Sequence, residues 1–177
     1  MNRRNFLSGI LASGVVIGAG GLVWVGNGSN NRALTIDASL ETLNRLMNAE
    51  INTLGDWGIY QILVHSAQSI EFSMIGFPEH KSALFKSSAG KLAFAAFSAK
   101  GEMTHGLSDA IPGAPAIEAE GDINYAYQRL KQSMINFANY KGPLAEHFAY
   151  GALEKWQYEQ AHAMHFYNHL LEVELES

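Results

Sequence analysis

The 177-residue chain contains no cysteine. This absence excludes a catalytic thiol, a CxxC redox pair, a thiolate zinc site and any disulfide bond. The chain also lacks an excess of positive charge, because 12 lysines and arginines stand against 17 aspartates and glutamates, which gives a formal net charge of −5. A nucleic-acid-binding protein would show a basic face, so we do not expect nucleic acid as a partner.

Several sequence patterns with known mechanisms are missing as well. We find no alternating run typical of a β-strand, no internal repeat and no recognisable Ser-His-Asp spacing. The G-x-S-x-G, P-loop and G-x-G-x-x-G motifs are also absent. What remains is a chain of ordinary globular composition, 47% hydrophobic and 16% charged, which is long enough to bury a core without disulfides.

The first thirty residues have the pattern of an export signal. The chain opens Asn2-Arg3-Arg4-Asn5-Phe6-Leu7-Ser8, and an apolar stretch interrupted by glycines follows at 10–25. A charged segment followed by an apolar one is typical of a signal peptide, and the paired arginines before Phe6 and Leu7 resemble the twin-arginine export motif. We therefore predict that residues 1–30 address the chain to the twin-arginine translocase, which exports folded proteins, and that residues 31–177 form a periplasmic domain.

The alternative for the same segment is an N-terminal membrane anchor. No A-x-A cleavage site precedes Asn27-Gly28, and residues 6–25 are about enough to span a bilayer as a helix. Both alternatives place the domain on the periplasmic side of the inner membrane, either free or anchored.

The remainder of the chain predicts an all-α fold. Helical spacing of apolar residues, capping residues and glycine or proline stops indicate five helices. We expect the first helix to run from its cap Asp37 to Gly55, and the second, capped by Asp56, to run from Trp57 to Ile75. The third is expected over 81–100, the fourth from its cap Asp122 to about 140, and the fifth over 153–173. A loop over 101–121 separates the third and fourth helices, and the acidic tail at Glu172, Glu174 and Glu176 is expected to be frayed. Long helices joined by short turns predict a four-helix bundle with one additional helix.

The histidines carry the strongest chemical signal. Three of the seven, His162, His165 and His169, fall within a stripe about 60° wide on one face of the last helix. His165 and His169 are i and i+4, which is the spacing by which one helix supplies two imidazoles to one metal ion. His65 in the second helix is the natural third ligand. Three protein nitrogens leave a coordination position for water, and a divalent ion lowers the pKa of such a water.

Other interpretations of the polar residues stay open. A histidine on an apolar face is commonly a hydrogen-bonded core residue, and this applies to His65. We expect His80 and His105 on the surface, because they fall in or beside turns, whereas His147 lines a pocket or packs a loop. We expect Glu71 to be solvated or to pair helices. Glu159 and Glu172 either support an imidazole or form surface salt bridges.

Two segments resemble a known superfamily. Asp56-Trp57, followed by His65 within Leu63-Val64-His65-Ser66-Ala67-Gln68-Ser69, is similar to the second helix of DinB/YfiT-like metalloenzymes. Trp156, His162, His165, His169 and Leu170 resemble the last core helix of that superfamily. More narrowly, residues 38–173 resemble a bacterial family of unknown function within it, in which a histidine commonly precedes the last ligand; this chain has Asn168 there.

The resemblance implies an up-down-down-up four-helix bundle with its metal on His65, His165 and His169. Some members transfer low-molecular-weight thiols, and an exported member would meet few of these. We expect a metal-dependent enzyme, a hydrolase or thiol transferase acting on an unknown small molecule, with zinc or nickel as the ion. The alternatives are a non-enzymatic metal or small-molecule binder of the cell envelope and a structural bundle. A homodimer is a further expectation left open by the sequence.

Overall fold

The fold is described by a computed structural model that covers residues 14–18, 21–25 and 33–176. Strands β1 (Gly14–Gly18) and β2 (Gly21–Val25) pair in antiparallel orientation. The predicted twin-arginine motif at residues 2–8 lies outside the described part of the chain. Among the described residues, no helix combines the length and the apolar character needed to cross a membrane.

Five helical segments follow these strands, so the prediction of a mainly helical chain is confirmed. Helix α3 is composite, because a π-helical turn interrupts it. The segments are α1 (Ile36–Leu46), α2 (Ile59–Ile75), α3 (Ala83–Phe85, the π-turn Lys86–Gly90 and Lys91–Lys100), α4 (Ile123–Asn139) and α5 (Lys155–His169), the last continued by a 3-10 turn at Leu170–Glu172.

Side-chain caps fix where two of these helices begin. Asp122 was predicted to cap the fourth helix, and its carboxylate accepts hydrogen bonds from the backbone N–H groups of Asn124 at 2.8 Å and Tyr125 at 3.2 Å. The prediction for the first helix was wrong by two residues, because the hydroxyl of Thr35 accepts from Ala38 N–H at 3.2 Å and Asp37 lies inside the first turn. Asp56 likewise does not cap α2, which begins after Gly58.

A small sheet replaces the predicted end of the first helix and the predicted frayed tail. Strands β3 (Glu50–Thr53) and β4 (Val173–Glu176) pair antiparallel, with Ile51 opposite Leu175 and Thr53 opposite Val173. The expectations of a helix running to Gly55, of a frayed acidic tail and of a chain without strands were therefore wrong. Because Met47, Ile51 and Leu54 also fit helical spacing, four alternating residues could not be recognised as a strand. Their pairing depends on residues more than a hundred positions away.

The helices that carry the predicted metal ligands lie in the middle of the packing. Helix α2 packs along α4 and also contacts α5, while α1 contacts both α4 and α5. The main core contains buried residues from all four, among them Leu43, Leu63, Leu130 and Phe166. Helix α3 joins through a second cluster, in which Phe94 and Phe97 pack with Met164 of α5 and with Met103 of the following loop.

An ion pair links α2 to α4. Arg129 donates two hydrogen bonds to Glu71, at 3.0 and 2.7 Å, and the hydroxyl of Ser133 donates to the same carboxylate at 2.8 Å. A fork of this geometry fixes the relative position of two helices better than a single charge contact does. Of the two roles expected for Glu71, the structure shows helix pairing.

At Gly90, helix α3 lies close to the backbone of Ala149, so a substitution at this position tests the packing of α3. It is buried, and an added Cβ would overlap the backbone carbonyl oxygen of Ala149. Because the obstacle is backbone, Gly90→Ala should lower the free energy of unfolding by about 1–3 kcal/mol, measured by urea denaturation. The matched control is Ser87→Ala in the same π-turn, where the side chain is exposed. Equal stability of the two variants would contradict the close approach.

Candidate metal centre

Three histidines from two helices meet at the contact between α2 and α5. His65 lies in α2, and His165 and His169 lie one turn apart in α5. The Nε2 atoms of His65 and His165 are 3.0 Å apart, and those of His165 and His169 are 3.3 Å apart. One ring nitrogen from each residue lies within 4.8 Å of the other two. The structure therefore brings together all three residues named from the sequence, whereas their binding of a metal stays a prediction.

The site is almost closed to solvent. His65 is 2% exposed and His169 is 0% exposed, while His165 is half-buried. Trp57, just before α2, borders the rings of both buried histidines, edge-on to His65 at 4.9 Å and stacked near His169 at 5.8 Å between ring centroids. The indole thus forms an apolar wall beside two imidazoles.

Hydrogen bonds alone do not satisfy this cluster. An imidazole nitrogen carries either one proton or one lone pair, so Nε2 of His165 can form one well-directed hydrogen bond but faces two other Nε2 atoms. The Nδ1 atoms of His65 and His169 are buried without a hydrogen-bond partner. A cation between the Nε2 lone pairs would convert their mutual repulsion into attraction and would fix the protons on Nδ1.

Burial keeps these rings neutral. Desolvation lowers the pKa of His65 to about 3 and that of His169 to about 2, with smaller contributions from neighbouring histidines, His105 included. Burial, followed by the proximity of His169 and His65, also holds the pKa of His165 well below its usual range. Neutral imidazole is the form that donates a lone pair to a metal ion.

His162, the third member of the histidine stripe, does not join the cluster. Its Nε2 lies 3.2 Å from the hydroxyl of Ser73, and its ring contacts Phe137 edge-on at 4.9 Å and stacks near Tyr158 at 5.4 Å. Desolvation lowers its pKa to about 3. His162 is therefore a hydrogen-bonded residue of the core.

The two histidines outside α2 and α5 that were expected near turns behave differently. His80 is exposed, as predicted. His105 was predicted on the surface, and this was wrong: its ring stacks near His165 at 4.9 Å and contacts His169 edge-on at 5.0 Å. The sequence signal for the inward position of this loop is its apolar residues Met103 and Ile111, which are both buried in the structure. Burial is also the main cause that lowers the pKa of His105.

His147 and the two glutamates have structural roles. Nδ1 of His147 accepts hydrogen bonds from the N–H groups of Ala149 and Tyr150 at 3.1 and 3.2 Å, so this histidine packs its loop. Glu159 accepts from the N–H of Ile36 at 2.9 Å and thereby supports the start of α1. The backbone carbonyl of Glu172 accepts from Leu54 N–H at 2.8 Å beside the small sheet.

One comparison with known proteins gives a match. The model of a family described as proteins of unknown function (DUF1569) matches residues 29–176. The chain belongs to the DUF1569 family. The expectation of a family of unknown function is thereby confirmed. The comparison with curated proteins found no match, and neither did the comparison with solved structures.

The buried neutral histidines of this DUF1569 protein predict sensitivity to acid. His65, His162 and His169 have folded-state pKa values of about 2 to 3, against about 6.5 in an unfolded chain. The unfolded chain thus binds more protons below pH 6.5, and stability is lost as the pH falls. We expect the metal-free protein to lose about 2 kcal/mol per histidine between pH 7 and pH 5, measured by urea denaturation with a chelator present.

The matched variants are His162→Gln, which removes one buried imidazole away from the cluster, and His80→Gln, which removes an exposed one. The first should flatten the pH dependence by roughly one histidine's share, and the second should leave it unchanged. A stability that stays constant from pH 7 to pH 5 in the wild type would contradict the neutral burial of these rings.

Proposed function

We propose that this DUF1569 protein is a metalloprotein that binds one divalent transition metal ion on His65, His165 and His169, and that it uses the ion in an enzymatic reaction on a small molecule. Hydrolysis is the reaction class that we favour, and thiol transfer comes second because an exported protein would meet few low-molecular-weight thiols. Zinc and nickel are the ions that we favour, since imidazole is a good ligand for both.

The observation that carries the proposal is the convergence of three ring nitrogens that cannot all be satisfied by one another. Their spacing also fits a metal. Zn–N bonds of about 2.0–2.1 Å in tetrahedral geometry place neighbouring ligand nitrogens roughly 3.3 Å apart. The Nε2 separations of 3.0 and 3.3 Å involving His165 are close to this value.

The chain's own groups prepare the site for such an ion. Burial keeps the imidazoles of His65 and His169 neutral at physiological pH, so no proton has to leave before they bind. The packing of α2 on α5 holds the rings in place, and Trp57 excludes water from one side. A bound divalent transition metal supplies Lewis acidity and activates water near neutral pH.

The DinB/YfiT-like bundle and the export route belong to the same proposal. The mutual packing of α1, α2, α4 and α5 supports a four-helix arrangement, and we propose the up-down-down-up order for it. The family match begins at residue 29 and leaves the arginine-containing segment outside it, which supports a separate address or anchor at residues 1–30. We place the domain in the periplasm, either free or anchored to the inner membrane.

One observation favours a second candidate, a non-enzymatic metal binder of the cell envelope. Two of the three histidines are almost fully buried. A surface cavity of about 390 Å³ lies elsewhere, lined by Tyr140, Lys141, Gly142, Leu144, Leu153, Glu154 and Lys155. None of these residues belongs to the histidine cluster. A binder needs no cavity beside its ion, whereas an enzyme must admit a substrate to it.

Metal content is the test of the site. After incubation with zinc or nickel and removal of free ion, we expect the full-length protein to retain about one equivalent by elemental analysis. The double variant His165→Ala/His169→Ala should retain none, because it keeps one of the three nitrogens. His80→Ala is the control, since it removes an exposed imidazole. A wild-type protein that retains no metal after this treatment would contradict the proposal.

The position of Trp57 offers an independent measurement. Nickel or copper bound between His65 and His169 should quench the fluorescence of this indole, because open-shell ions quench nearby excited rings. The variant Trp57→Phe should lose most of the quenching while retaining the metal. Quenching that persists in Trp57→Phe would place the ion elsewhere. Once the ion is known, hydrolysis and thiol-transfer substrates can be screened with the loaded protein, and a wild type that turns over none of them would favour the binder.

A further inference from the structure

The loop between α3 and α4, residues 101–121, is fastened against the helices that hold the candidate metal centre. Met103 is buried in the cluster formed by α3 and α5, and Ile111 is buried in the main core. Gln68, three residues after His65 in α2, donates a hydrogen bond to the carbonyl of Pro115 at 3.2 Å. Three contacts at separate points thus hold the loop to the bundle.

This docking places a fourth imidazole at the cluster. The ring centroid of His105 lies 4.9 Å from that of His165 and 5.0 Å from that of His169. The centroids of the three predicted ligands are separated by 4.8 to 4.9 Å. His105 therefore approaches two of the rings as closely as those rings approach one another.

The hydrogen bonding of His105 determines which nitrogen offers a lone pair. Nδ1 lies 2.8 Å from the carbonyl oxygen of Gly106. Since a carbonyl oxygen only accepts, Nδ1 carries the proton, and Nε2 of the neutral ring carries the lone pair. That Nε2 atom is buried and has no hydrogen-bond partner.

A ring nitrogen bonded to a backbone carbonyl, with the opposite nitrogen free, is the usual arrangement of a metal-bound histidine. The carbonyl fixes the tautomer and the ring orientation and makes the ligand more basic. In the structure, His105 has this support, whereas the Nδ1 atoms of His65 and His169 are buried without partners. A histidine that merely packed the loop would leave its buried acceptor unsatisfied, which is unfavourable.

We propose that His105, which lies in the loop 101–121, is a fourth protein ligand of the metal ion and binds it through Nε2. The inference rests on the proposed site at His65, His165 and His169 and extends it. Four nitrogens give a closed site at rest. A substrate or water then reaches the ion only when the loop withdraws His105 or when the ion accepts a fifth ligand.

The first test compares zinc affinities of full-length proteins by competition with a chromogenic chelator. We expect His105→Ala to bind zinc at least about tenfold more weakly than the wild type, with a matched control in His80→Ala at wild-type affinity. Circular dichroism confirms that each variant is folded. Equal affinity of His105→Ala and wild type would overturn the fourth ligand and leave the three-histidine site standing.

The second test needs no variant. Long-range ¹⁵N–¹H NMR of the histidine rings distinguishes a metal-bound nitrogen from one with a free lone pair. On adding zinc to the wild type, the Nε2 signal of His105 should shift together with those of the other three ligands, while the signals of His80 stay in place. An unshifted His105 beside three shifted rings overturns this inference alone. A wild type in which no ring responds to zinc overturns the proposed function as well.

Discussion

The contact between α2 and α5 is the interaction on which the rest of the molecule depends, because it buries imidazole nitrogens against one another. His65 and His165 are a hundred residues apart in the chain, and their Nε2 atoms are 3.0 Å apart. Burying a polar group without a partner is costly, and a helix contact filled with aliphatic side chains would avoid that cost. Among the described residues, most of the buried side-chain atoms without a hydrogen-bond partner belong to the histidines at this contact, the others being Ser66 Oγ and Asn168 Nδ2.

The surrounding structure compensates for the buried rings by holding α2 firmly. The Glu71–Arg129 fork and Ser133 fix α2 to α4, and the side chain of Glu159 in α5 holds the start of α1. The small sheet of β3 and β4 joins the segment before Trp57 to the segment after His169. Backbone pairing thus anchors the chain before Trp57 and after His169, on both sides of the histidine cluster. A ligand that binds only this folded arrangement would add its binding free energy to the stability of the domain.

Sequence reasoning succeeded where the information is local. The i, i+4 pair in α5, the cap at Asp122 and the loop at 101–121 can each be inferred from neighbouring residues. The partnership of His65 with α5 is long-range, and it came from the face of α2 and from resemblance to a superfamily. The strands β3 and β4 and the contact of His105 with His165 and His169 were missed, because each depends on a contact between distant segments that leaves little local pattern. His162 shows the limit of such a local pattern, since it shares the helical stripe of His165 and His169 although its ring turns to Ser73 and the core.

The two proposed functions, a metal-dependent enzyme and a non-enzymatic metal binder, differ in how many nitrogens would surround the ion. Three imidazoles leave a position for water, which is the condition for Lewis-acid catalysis. Four imidazoles would close the coordination sphere, so that a substrate or water reaches the ion only when one ligand withdraws or when the ion accepts a fifth. His105 lies in a loop, whereas His65, His165 and His169 lie in helices. A loop can open at a lower free energy than a packed helix. With His105 as the fourth ligand, the withdrawal route would depend on how firmly residues 101–121 are docked through Met103, Ile111 and the Gln68–Pro115 hydrogen bond.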